Sequence, residues 1–179
     1  ISSTSESIEE PMVMTADRNI NNTAHDYKLV QTDQEIANLL QHLKGYDEIC
    51  FDTETTNIDA NLAELVGMSF SVKPGEGYYI PCPADRTITN KILQQLSSLF
   101  NDESKTWIGQ NLKYDLLVLK WYAVELKGKL FDTMLAHYVI EPDGKRSMDA
   151  LSEKFLGYEP VHIEELIGKK GKTQGSMRD

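Results

Sequence analysis

The sequence lacks most of what would staple a small secreted protein together. Its 179 residues hold two cysteines, Cys50 and Cys82, too few for a disulfide framework. Both lie in apolar, strand-like surroundings, which predicts buried free thiols. A reducing cytoplasm is then the simplest setting. No basic-then-apolar leader is visible, and no apolar run is long enough to span a bilayer, so no membrane partner is expected. Positive charge is also scarce. Eighteen Lys and Arg stand against 28 Asp and Glu, a formal net charge of −10. That argues against a protein that wraps long duplex through a broad basic surface. It leaves room for a site that takes in a strand end while metal ions neutralise the acids. No Gly-rich phosphate loop follows a strand. The four histidines, His25, His42, His137 and His162, are scattered without ligand spacing, so each is expected at the surface or in packing. There is no internal repeat.

What is present suits one soluble domain plus a tail: 40% hydrophobic residues and enough length for a core. Residues 1–26 are rich in Ser, Thr, Glu and Asn and form a polar linker or tail. Residues 27–179 carry the periodicity of a folded domain. Tyr27–Val30 is expected as a short strand. Thr32 caps a helix, with Glu35 completing a capping box, Ile36, Leu39, Leu40 and Leu43 on one face, and Gly45 at the end. Leu65–Val72 and Tyr78–Pro81 alternate as strands around a turn at Gly75–Gly77. Ile88, Ile92, Leu96 and Leu99 mark a helix, and Thr106–Gly109 a short strand. A helix opening at Gln110–Asp115, capped by Asn111, runs to about Tyr122. It is apolar nearly all round and is expected to be buried on most faces. Leu130–Asp132 is a strand, and Thr133–Ile140 a helix with Asp132 as its N-cap. Ser147 caps a further helix that presents Met148, Leu151 and Phe155 and stops at Gly157. Gly168–Lys172 is a basic loop, expected to be solvated rather than phosphate-binding. The pattern predicts a mixed α/β fold whose sheet starts in an antiparallel meander.

The chemistry centres on Phe51–Thr55. Its β-branched and aromatic alternation reads as a strand, so Asp52 and Glu54 project together, with Phe51, Thr53 and Thr55 on the other side. Two like charges side by side repel and lose hydration, and a cation between them is one remedy. Two solvated acids on an exposed edge strand are the alternative. Asp115 lies within the apolar helix, and a buried carboxylate requires a partner, either Lys or Arg or, favoured beside Asp52 and Glu54, a metal ion. Carboxylate oxygens suit Mg2+ or Mn2+ rather than zinc. Acids from separate elements can hold two such ions for phosphodiester hydrolysis.

Five blocks in this order are specific: Phe51–Thr55, Asn61–Phe70, Gly109–Asp115, Phe131–Leu135 and Met148–Leu151. Together they resemble the 3′–5′ exonuclease domain of bacterial DNA polymerase I, a member of the DEDD exonucleases. The resemblance covers roughly Tyr27 to the end of the sequence. It implies a ribonuclease-H-like three-layer fold with helices on both faces of a mixed sheet. It implies two-metal hydrolysis of mispaired 3′-terminal nucleotides during DNA replication and repair, with two divalent ions, Mg2+ or Mn2+, as cofactors. By position, Asp52, Glu54 and Asp115 are the expected metal ligands and catalytic acids. Thr53, Ile58, Gln110 and Asn111 are the expected substrate contacts, Ile58 by packing on the terminal base. The implied partners are a single-stranded DNA 3′ end, a C-terminal polymerase domain and an N-terminal 5′ nuclease domain of the same parent chain. The family's third motif, Tyr-x-x-x-Asp, does not occur after Gly157, so the reading is of a domain cut before that motif, with weak activity by itself. A catalytically inactive scaffold or single-strand-binding domain, and a free-standing DEDD ribonuclease, are the competing readings.

Overall fold

The computed structural model describes residues 16–169 and 175–178. Residues 1–15 of the polar tail and Lys170–Lys172 of the basic loop lie outside the described residues. In chain order come β1 (Arg18–Asn19), β2 (Asp26–Leu29), α1 (Asp33–Lys44), β3 (Glu48–Thr55), β4 (Leu65–Ser71) and β5 (Glu76–Pro81). Then follow α2 (Arg86–Gln95), α3 (Ser97–Phe100), β6 (Thr106–Gly109), α4 (Leu112–Lys120), β7 (Lys129–Asp132) and α5 (Thr133–Ile140). The last elements are α6 (Met148–Leu151), a π-type turn at Ser152–Leu156, β8 (Tyr158–Glu159) and α7 (Ile163–Ile167).

Six strands make one mixed sheet in the order β2-β5-β4-β3-β6-β7. The β3-β4-β5 meander is antiparallel, as alternation and the Gly75 turn imply. Gly75 supplies the φ of +76° that the turn between β4 and β5 requires. β6 and β7 add parallel to β3, each reached by a helical crossover. β2 closes the other edge, parallel to β5. Within the segment expected to be a polar tail, Arg18 and Asn19 pair with Tyr158 and Glu159 in a separate two-stranded sheet.

Local chemistry accounts for the helix ends. Thr32 and Glu35 form the full capping box of α1. Asp85 caps α2 through the Thr87 and Ile88 amides, and Ser147 caps α6 through that of Ala150. The helix expected across Ile88–Leu99 divides at Leu96 into α2 and α3. Leu93, Leu96 and Leu99 face the core, whereas Ile88 is exposed because Thr89 takes the inward position.

The core packs α1–α3, together with Leu112, Val118 and Leu119 of α4, against the sheet. Ile49, Phe51 and Thr53 alternate inward along β3, and Phe51 packs against Phe70, Phe100 and Trp107. Each ring so buried contributes about 2 kcal/mol or more of hydrophobic stabilisation. The opposite face of β3 is only partly covered. It carries Cys50, Asp52 and Glu54, so Cys50 is exposed rather than buried as expected. Strand parity put the thiol on the acid face; only Cys82 is a buried free thiol. The helix α4 also departs from expectation. Asp115, Val118 and Leu119 are buried, but Leu117 and Trp121 face outward, because only one side of this short helix meets the sheet.

Candidate active site

β3 runs past its parallel neighbour. β6 pairs with it only over Glu48–Cys50, so the remainder of that edge is free beyond Ile108. The chain turns there from β6 into α4. Gly109 permits the turn: a Cβ at this position would come within 2.7 Å of the Phe51 carbonyl oxygen. Asn111 then adopts a left-handed conformation, φ 62°, which asparagine tolerates better than most residues. Its side chain makes no cap, contrary to expectation. Its amide instead donates to Asp132 Oδ1 at 3.1 Å. That same oxygen caps α5 through the Met134 and Leu135 amides, which is the N-cap role expected of Asp132.

This route lays α4 along the free edge of β3. Asp115, 2% exposed, accepts from the Thr53 amide at 3.0 Å and the Thr53 hydroxyl at 2.5 Å, both at Oδ1. One residue earlier, the Tyr114 hydroxyl meets Thr55 Oγ1 at 2.5 Å and donates to the Asn57 carbonyl. Two threonines on one side of β3 thus grip two successive residues of α4, as the period of a strand allows.

Asp52 and Glu54 stand on the other side, half-buried. The β3-β4 register shifts between Glu54 and Thr55, and such bulges recur where a strand must re-aim its side chains. Across from Glu54 is Gly67, whose missing side chain leaves room for the Tyr79 ring. The Tyr79 hydroxyl's pKa is raised by burial first and then by Glu54, which places the phenol in the acid's field.

The three acids repel one another. Burial first, then the charges of Asp115 and Glu54, push the Asp52 carboxyl from 3.8 up to about 7. Burial and Asp115 raise Glu54. Burial raises Asp115 as well, against the pull of the two Thr53 donors, and Asp132 adds to the rise. Among the described residues, none of the three acids pairs with Lys, Arg or His. Three mutually repelling carboxylates without a protein counter-charge fit a hard divalent cation. Among the described residues, however, no three acidic, histidine or cysteine groups stand close enough to form a finished metal cage. The side chains feel one another's charge, but their oxygens do not converge on a single point.

A family model described as 3′–5′ exonuclease, of the DNA polymerase A type, matches residues 27–176. The chain belongs to this exonuclease family. The DNA polymerase I of Borreliella burgdorferi is 39% identical over 146 residues, which cover 80% of this chain and 16% of that protein. The chain therefore spans about one sixth of the length of that relative. In structure it is similar to RNase D of Escherichia coli, with a TM-score of 0.57 and 23% identity over 74% of this chain and 34% of that one. It is also similar to Brucella melitensis NrnC with bound Mg2+, with a TM-score of 0.60 and 18% identity over 85% of this chain and 70% of the other. The fold is the ribonuclease-H-like α/β fold that the motif blocks imply.

Within this exonuclease domain the residues expected to touch substrate fall into two groups. Ile58 is 95% exposed, on the loop whose Asn57 carbonyl Tyr114 holds. Gln110 is engaged: its Nε2 donates to the Arg146 carbonyl at 2.7 Å and its Oε1 accepts from the Thr133 hydroxyl. The Asn111 backbone amide is bonded to Asp132, and Thr53 is 7% exposed and bonded to Asp115. Sequence reasoning did not find Tyr79, nor the Thr55–Tyr114 contact. The Thr-x-Thr repeat in the strand was the available signal for the latter.

Proposed function

We propose that this domain removes nucleotides from the 3′ end of single-stranded DNA and serves an attached polymerase as a proofreader. The observation that carries the reading is the trio Asp52, Glu54 and Asp115: buried or half-buried, mutually repelling and without a basic partner among the described residues. These residues would hold divalent ions, two in number, Mg2+ or Mn2+. Such ions neutralise the acids and lower the pKa of water so that hydroxide is available near neutral pH.

The chain's own residues do the remaining work. Asp52 and Glu54 present oxygens from a strand whose inner face is locked by Phe51 and Thr53. Asp115 presents its oxygens from α4 across the strand edge. Ile58 offers an exposed apolar side chain for the terminal base. Tyr114 fixes the backbone next to it. Gln110 supports this region indirectly, by tying β6 to Thr133 and the Arg146 carbonyl. The partners in the parent chain would be a polymerase domain following and a 5′ nuclease domain preceding, in a bacterial cytoplasm.

Degradation of a 3′-mismatched DNA oligonucleotide, with Mg2+ or Mn2+ and with chelator, tests the proposal. Metal-dependent release of 5′-mononucleotides that Asp52→Ala abolishes supports it. An unchanged rate in Asp52→Ala refutes the ligand assignment. A parallel RNA oligonucleotide degraded far faster than DNA would favour a ribonuclease. No metal binding and no cleavage, with the DNA strand still bound, would favour the scaffold reading.

A further inference from the structure

We infer that Thr53 is the positioning residue of Asp115, and that its hydroxyl sets the direction of that carboxylate. The inference rests on the metal-dependent reading above and replaces the expected substrate contact by Thr53.

Thr53 sits between Asp52 and Glu54 in sequence but points to the opposite side of the strand, where it is 7% exposed. At 7% exposure its side chain offers little surface to a nucleotide bound on the acid face. Its hydroxyl and amide converge on one oxygen, Asp115 Oδ1, at 2.5 and 3.0 Å. A hydroxyl donating to a carboxylate makes one of the stronger kinds of hydrogen bond. Among the described residues the only further donor to the Asp115 carboxylate is its own backbone amide. The two donors come from a strand and the acceptor from a helix, 62 residues apart in sequence. Two bonds to one oxygen restrain both the distance and the rotation about the Asp115 side chain. The other oxygen is thereby held in one orientation relative to Asp52 and Glu54, which flank Thr53 on the same strand. One threonine thus couples all three acids mechanically, without meeting substrate.

A purely structural role would lower stability and leave the carboxylate's direction and cation affinity unchanged. The test uses Thr53→Val, which keeps the shape and the amide bond but removes the hydroxyl, and Thr53→Ser, which restores it. Side-chain scalar couplings of Asp115, measured by NMR without metal, report its rotamer. Mn2+ titration followed by electron paramagnetic resonance reports cation affinity. The expected result is a single Asp115 rotamer in the parent chain and in Thr53→Ser, and averaged rotamers in Thr53→Val. Mn2+ binding should weaken about tenfold in Thr53→Val and return to within about twofold in Thr53→Ser. Should Thr53→Val fail to fold by circular dichroism, Thr53→Ala carries the same measurements. A single unchanged Asp115 rotamer without the hydroxyl overturns the inference. So does full Mn2+ affinity in the folded variant. Absence of Mn2+ binding in the parent chain would count against the metal reading itself, and the rotamer measurement then decides the role of Thr53 alone.

Discussion

Replacing Asp52 by Asn should stabilise the metal-free protein, and more so as the pH rises. In the folded chain the Asp52 carboxyl is pushed from 3.8 up to about 7, by burial and then by Asp115 and Glu54. Between those two values the folded state binds more protons than the unfolded state. The stability associated with this group is therefore complete below about pH 4 and is lost as the pH rises through about 7. A tenfold change in an acid's ionisation constant is worth about 1.4 kcal/mol, so the full cost of ionising Asp52 in the folded chain approaches about 4 kcal/mol. The three acids titrate as a coupled set, and the neutral amide of Asn removes one member. The stability gap between Asp52→Asn and the parent chain should widen by about 2 kcal/mol from pH 5 to pH 8. For a chain of this size that is roughly 4–8 °C in Tm. Urea and thermal melts in chelator at both pH values measure it. Millimolar Mg2+ at pH 8 should raise the parent chain and leave the variant nearly unchanged. A gap that stays constant with pH, or grows toward pH 5, would refute the claim that these acids strain the fold.

Three further outcomes follow from other contacts. Ile58→Ser should leave stability within about 0.5 kcal/mol, since the side chain is 95% exposed; in a steady-state assay on single-stranded DNA, KM should rise several-fold with kcat less affected. Gly128→Ala should destabilise by about 3 kcal/mol or more in denaturant melts, because φ is +95° and the new Cβ would lie 2.2 Å from the Lys105 carbonyl oxygen. Lys105→Met should cost about 1–3 kcal/mol, seen as a lower urea midpoint. Its buried Nζ donates to the Lys44 and Tyr46 carbonyls at 3.0 and 2.8 Å, and these lose their donor.

The local features were legible because their chemistry acts over a few residues. The Thr32–Glu35 capping box, the Asp132 and Ser147 caps and the Gly75 turn each involve groups close together in the chain. The meander was legible because period-2 alternation specifies which side of a strand meets the core. Parity alone also put Asp52 and Glu54 together and Thr53 opposite. Cys50 shows the limit of composition-based reasoning. Its apolar neighbours suggested burial, while its parity with the acids placed it on the exposed face. The helix α4 shows another limit. An all-round apolar sequence does not reveal how many sides find a partner, and Leu117 and Trp121 find solvent.

The sequence by itself determined the strand, the caps, the family blocks and which acids share a side, since these follow from backbone periodicity and short-range hydrogen bonding. Only the tertiary structure decided that Thr53 grips Asp115, that Gln110 is engaged by Thr133 and Arg146, and that the Asn111 backbone amide bonds Asp132. Those contacts join residues 21–62 positions apart. Their partners are selected by where β6 stops pairing with β3 and α4 begins, a property of packed backbone that no local pattern encodes.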